Sequence, residues 1–157
     1  MYKNSFVHYL TKILVDIMFY GGILCCIAAS FITPKLVNFF GYNEAVIVPF
    51  TVILLLSGIC SLFILWQLKA MFKTLLGGNP FVTANVNCLR KCAVAGFSIS
   101  IIYIVTMCFG FGITGCVFNI MAAVIVTIFS LLGLFCLTLK DIFKQAIAYK
   151  EENDWTV

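Results

Sequence analysis

The sequence predicts an all-α integral membrane protein: four transmembrane helices in an up-down antiparallel bundle, with helices 2 and 3 extended into the cytoplasm and both termini inside. Three observations carry this expectation. First, 63% of the 157 residues are hydrophobic and 10% are charged, with a mean hydropathy of +1.12. Such a chain cannot make its surface mostly polar, so a bilayer has to be its solvent. Second, roughly 13–32, 45–67, 93–115 and 117–139 are apolar runs long enough to cross about 30 Å of hydrocarbon at about 1.5 Å per residue. Each must be a helix, because an open strand edge in lipid leaves N–H and C=O groups unpaired. Third, Lys3, Lys12, Lys69, Lys73, Arg90, Lys91, Lys140, Lys144 and Lys150 all fall on the side shared by the N-terminus, the second connection and the tail, and only Lys35 lies opposite. That asymmetry places this side in the cytoplasm. It also accounts for the net charge of +4 without any nucleic acid, aided by attraction to anionic lipid.

The whole chain, 1–157, reads as one membrane domain. Helix 1 is expected over about 5–32. Its apolar run exceeds the length of a signal-peptide core, contains Asp16 and is followed by three more spans, so it reads as a retained helix. Thr33-Pro34 is expected to stop it, and Phe39, Phe40 and Tyr42 to anchor the outer connection. Asn43 is the expected cap of helix 2, about 45–76, with Pro49 in its first turns. In "LKAMFKTLL" the residues Leu68, Met71, Phe72 and Leu75 share a face opposite Lys69 and Lys73. Helix 2 therefore continues past the lipid to Gly77-Gly78, a place for a left-handed C-cap.

Residues 77–91, "GGNPFVTANVNCLRK", are the longest polar interruption in the chain. Asn79-Pro80 turns the backbone, and Thr83 is the expected N-cap of helix 3, about 83–114. Helix 4, about 117–150, carries Leu139, Ile142, Phe143, Ala146 and Ile147 on one face of its extension, opposite Lys140, Lys144 and Lys150. That face is expected to pack on the hairpin of helices 2 and 3. The tail 151–157 reads "EENDWTV". Two readings fit it: a frayed end with Trp155 resting at the lipid interface, or a short anchor read by a partner.

Eight cysteines raise the question of metal or disulfide chemistry. Their spacing points to packing instead. Cys92, Gly96, Ser100, Ile104, Cys108, Gly112 and Cys116 recur every four residues, and span 1 repeats the habit in Gly21, Cys25, Ala29 and Gly22, Cys26, Ser30. Small residues four apart let helices approach closely in lipid. Cys88 and Cys92 could hold half a metal site, but the single histidine, His8, and the lack of a second pair leave no complete ligand set. No Walker loop, HExxH, nucleophile elbow or dinucleotide fingerprint occurs. The expectation is no enzyme, no cofactor, no catalytic residue and no metal.

Asp16 is the one intramembrane charge of note, and such residues are suspects for function. A central Asp costs about 2.5–3.5 kcal/mol on insertion, which the aliphatic and aromatic residues around it offset. Asp16 lies within reach of Lys12 one turn back, or of Arg90 and Lys91 at the foot of helix 3, so a structural ion pair is favoured over proton or substrate coupling. Asn119 reads as an interhelical hydrogen-bond partner.

With Gly78, Asn79, Pro80 and Phe81 in the loop, Asn85 or Asn87 followed by Leu89 and Arg90, and an acidic tail closing on Thr156 and Val157, the chain resembles the YoaS-like family of small four-helix bacterial membrane proteins of unknown function. The likeness covers its whole length. It implies a multi-pass protein of the bacterial cytoplasmic membrane. Members of such families are often encoded beside a small helix-turn-helix regulator, so the resemblance implies a cytosolic DNA-binding partner. The leading expectation is therefore a non-enzymatic membrane protein that docks or sequesters that regulator. Asn79 and Pro80 would shape the tip, Phe81 would anchor, Asn85 would lie beside it, Arg90 and Lys91 would orient acidic groups, and Trp155, Thr156 and Val157 would give a second contact. The alternative is a small transporter, efflux or immunity-type protein using Asp16, in a homo-oligomer. A third reading is an assembly subunit recognised through its small-residue faces.

Overall fold

The computed structural model describes residues 6–39, 41, 43–77, 81–110 and 115–154. Four long helices succeed one another in chain order: α1 (Phe6–Phe39), α2 (Ile47–Leu76), α3 (Thr83–Gly110) and α4 (Gly115–Asp154). Each is long and apolar enough to cross a membrane. Their uncharged stretches, roughly 17–34, 47–68, 92–110 and 115–139, span about 27–37 Å at 1.5 Å per residue. That matches one hydrocarbon core. Beyond it α2 runs on for about 12 Å, α3 for about 13 Å and α4 for about 22 Å, all at the end that carries Lys69, Arg90, Lys91 and Lys140.

Helix ends differ from the sequence expectation in ways the chemistry explains. Pro34 lies inside α1, which continues to Phe39. The proline leaves the carbonyl of Ser30 without its N–H, a tolerable loss in a membrane helix where neighbouring hydroxyls bond the backbone. Thr33 does this one residue earlier, donating to Ala29 O at 2.6 Å with its side chain buried. The turn instead falls at Gly41, whose φ of +70° a side chain would resist and whose N–H donates to Asn38 O. Asn43 is a cap, as expected: its Oδ1 accepts from Ala45 N at 3.1 Å, opening a single 3-10 turn, Glu44–Val46, that feeds α2. Gly77 ends α2 in a right-handed conformation with its N–H on Lys73 O, and Gly78, the other residue of the expected C-cap, lies outside the described residues. Thr83 is the first helical residue of α3 and not a cap outside it, with Asn85 N donating to Val82 O. Residues 151–154, three of them acidic, extend α4 and do not begin a tail there.

Neighbours pack antiparallel. Asp16 meets Lys69, Gly22 faces Leu62 and Gly58 faces Cys26, so one helix descends as the other rises. Between α2 and α3 the pairs are Thr74 with Asn85, Ile64 with Cys92 and Ser57 with Tyr103. Helix α3 is the axis of the molecule: Cys92, Ala93, Ile99 and Ser100 are all buried. The apolar window of α3 is 39% buried, against 6% in α1. It lies between α2 and α4, and α1 lies on α2. Among the described residues α1 has no backbone contact with α3 or α4. The helices thus form a core of α2, α3 and α4, with α1 as an outrigger on α2. Lipid is as apolar as the side chains, so no hydrophobic force draws α1 onto α3 or α4.

The α3–α4 seam shows what the small residues do. A Cβ added at Gly96 would lie 3.2 Å from Phe129 O and 3.6 Å from Gly133 N, so only glycine permits the backbones to come this close. Ser100 Oγ donates to Val126 O at 3.3 Å and accepts from Ser130 Oγ at 3.1 Å. In α1 the Gly22, Cys26 row faces α2, while Gly21 has nothing within 4 Å and Cys25 is exposed.

Candidate functional site

Two places concentrate chemistry: the polar end of the helices and a cavity near the opposite end. At the polar end Asp16 pairs with Lys69, whose Nζ is 2.8 Å from Asp16 Oδ1. The cation therefore comes from α2, and not from Lys12, Arg90 or Lys91. The same ammonium sits 5.0 Å from the Phe19 ring centre and 5.1 Å from that of Tyr20. These two rings meet edge to face at 5.7 Å. A carboxylate and two aromatic faces thus hold one amine, an arrangement that ties α1 to α2 where the apolar stretches end.

Below that level the hairpin of α2 and α3 is pinned internally. Asn85 is only 2% exposed. Its Oδ1 accepts a hydrogen bond from Thr74 Oγ1 at 2.8 Å, and the same hydroxyl lies 2.7 Å from Met71 O. Phe81, 42% exposed, stacks obliquely on Phe143 of α4, ring centres 5.4 Å apart and planes at 49°. Arg90 and Lys91 are exposed. The structure thus brings Phe81, Asn85, Arg90 and Lys91 to one end and keeps Asn85 inside. Asn79, Pro80, Trp155, Thr156, Val157 and the His8 side chain lie outside the described residues.

Phe143, on the helix 4 face expected to pack on the hairpin, completes these contacts together with Lys69 and Thr74, which the sequence reading assigns to no site. Their signal is register. A short connection between α1 and α2 forces an antiparallel pair, which brings Lys69 opposite Asp16. Cys92 is buried with Sγ 3.9 Å from Ile64 O, and Cys88 is half-buried. Among the described residues no three His, Cys, Asp or Glu side chains come together as a metal site. Asn119 Oδ1 is shielded and accepts no hydrogen bond among the described residues, where an interhelical bond was expected.

Toward the other end a half-enclosed cavity of about 280 Å³ opens between α1, α2 and α4. Leu36 and Val37 line it from α1, Phe50 and Leu54 from α2, and Phe118 and Met121 from α4. The rings of Phe50 and Phe118 meet among these residues, centres 5.2 Å apart. Tyr103 reaches it from α3, with its hydroxyl 3.4 Å from Ser57 Oγ.

Four long apolar helices with most of their charges at one end define a multi-pass helical membrane protein. The chain belongs to the family described as protein of unknown function (DUF2975), whose model matches residues 41–157. The match takes in α2, α3, α4 and the α2–α3 turn, and α1 lies before it. No curated protein and no solved structure matches the chain.

Proposed function

We propose that the protein is a non-enzymatic component of the bacterial cytoplasmic membrane that docks a small cytosolic helix-turn-helix regulator on its polar end. The observation that carries this reading is the fixed juxtaposition of the α2–α3 tip and the α4 extension through Phe81 and Phe143, with Arg90 and Lys91 exposed nearby. An aromatic partly exposed beside two cations is the composition that interfaces favour. Asn79 and Pro80 shape the tip in this proposal, and Trp155, Thr156 and Val157 supply a second contact. Asn85 acts indirectly, by holding α2 and α3 in register. The basic residues orient the protein in the membrane so that this end faces the cytoplasm.

The test is co-purification from membranes with the regulator encoded beside it. Reversing the two exposed charges, Arg90→Glu with Lys91→Glu, leaves the core untouched and is expected to lower recovery several-fold. Deleting the last seven residues is expected to lower it further. Unchanged recovery in both variants would remove the proposal.

A further inference from the structure

We propose that the cavity between α1, α2 and α4 holds one acyl chain of a membrane phospholipid, with the lipid phosphate at Lys35. The occupant is argued from position, lining and charge. The cavity lies at the end of the helices remote from the Asp16–Lys69 pair, and its α2 and α4 lining belongs to uncharged stretches long enough to cross the bilayer. Its lining is almost wholly apolar. The one polar pair beneath it, Tyr103 and Ser57, is satisfied by itself at 3.4 Å. Nothing there would hold water, and an apolar space of this kind stays dry. Left empty, its walls forgo dispersion contacts on one side. Its volume, about 280 Å³, falls just below the range for pockets that take drug-sized ligands, about 300–1,000 Å³. It suits a length of flexible chain.

The opening is a consequence of the fold. Helices α1 and α4 have no backbone contact among the described residues, so the gap between them stays accessible from the lipid side. Lys35 is exposed and directly precedes Leu36 and Val37 of the cavity wall. It is the one basic residue at this end among the described residues. A lysine here can keep its ammonium at headgroup level while its stem lies along apolar surface, and a phosphate is the complementary group at that depth. A chain drawn in below such a phosphate would enter between Leu36 and Met121.

The experiment uses the full chain with Trp66 and Trp155 replaced by Phe and one new tryptophan, Phe50→Trp or Leu54→Trp, reconstituted in phosphatidylcholine brominated along the acyl chains. Val48→Trp, at a position 70% exposed, serves as the lipid-facing control. Either cavity reporter is expected to be quenched by bromine to at least half the extent of the control, and to resist acrylamide. In parallel, mass spectrometry of the wild-type protein under native conditions is expected to show one retained phospholipid, reduced several-fold in Lys35→Gln. Quenching by acrylamide without bromine would mean water, and quenching by neither would mean collapse or a helix from a second copy. Each of these, or a wild-type protein that retains no lipid, overturns the proposal.

Discussion

Asp16 on α1 and Lys69 on α2 face each other with 2.8 Å between carboxylate oxygen and ammonium nitrogen, at the level where the uncharged stretches of both helices end. A charge inside an apolar run is here balanced by the neighbouring helix, and the amine is further enclosed by Phe19 and Tyr20. The arrangement serves cohesion: it fixes the depth at which the outrigger helix meets the core.

Asp16→Asn is accordingly expected to leave insertion and helix content unchanged while loosening α1 from α2. Disulfide trapping reads this directly, because a side chain at Gly58 would meet Cys26 Sγ at 2.6 Å. With Gly58→Cys as the second thiol, cross-linking to Cys26 should slow in the Asp16→Asn background. An unchanged rate would mean that the pair contributes nothing to the register. A transport or resistance activity lost in Asp16→Asn at normal cross-linking would instead favour proton or substrate coupling.

The α3–α4 seam gives a prediction about glycine. Gly96→Ala places a methyl 3.2 Å from Phe129 O, closer than packed backbones comfortably allow. The expected cost is about 1–3 kcal/mol, as for other overpacked sites, read as a lower midpoint of thermal unfolding in detergent. Gly21→Ala, with nothing within 4 Å of its added carbon, should leave the midpoint where it is.

At the polar end, Phe81 and Phe143 form a pair that a double-mutant cycle can isolate. Phe81→Ala and Phe143→Ala are each expected to destabilise the protein, with a coupling energy of about 0.5–1.5 kcal/mol. Additive effects would show that the rings are near each other without interacting. The same cycle separates folding from docking. Partner recovery should fall in Phe81→Ala beyond the loss seen in Phe143→Ala if Phe81 touches the regulator.

Asn85 tests the hairpin pin. Buried and bonded to Thr74, it is expected to cost about 0.5–1.5 kcal/mol on replacement by Leu, since one hydrogen bond between α2 and α3 is lost while the Thr74 hydroxyl keeps Met71 O. Asn87→Ala, at an exposed position two residues on, should be silent.

The existence and order of the helices were legible from hydropathy alone, because lipid imposes a minimum length that 63% hydrophobic composition cannot hide. The small-residue rows were legible in part: Gly96 and Ser100 lie where two backbones nearly touch, whereas Cys25, Cys108 and Cys116 of the same rows are exposed. What the pattern could not carry was partner choice. Periodicity assigns a residue to a face but not to a neighbour, so it offers Asp16 the cations Lys12, Arg90 or Lys91 when the antiparallel register supplies Lys69. Pro34 misleads for a related reason. Rules learned in water stop a helix there, whereas α1 keeps going under a Thr33 hydroxyl bond. The open side between α1 and α4, and with it the cavity, depends on the absence of backbone contact between distant segments among the described residues, which no local signal reports.

The docking proposal depends most on which face of the membrane receives the α2–α3 turn. Thiol labelling measures it: Asn87→Cys in a background with the native cysteines replaced by serine or alanine, treated with a membrane-impermeant maleimide in intact and in permeabilised cells. Labelling only after permeabilisation is the predicted result. Full labelling in intact cells would put Arg90, Lys91 and Phe81 on the outer surface, beyond reach of any cytosolic regulator, and contradict the account.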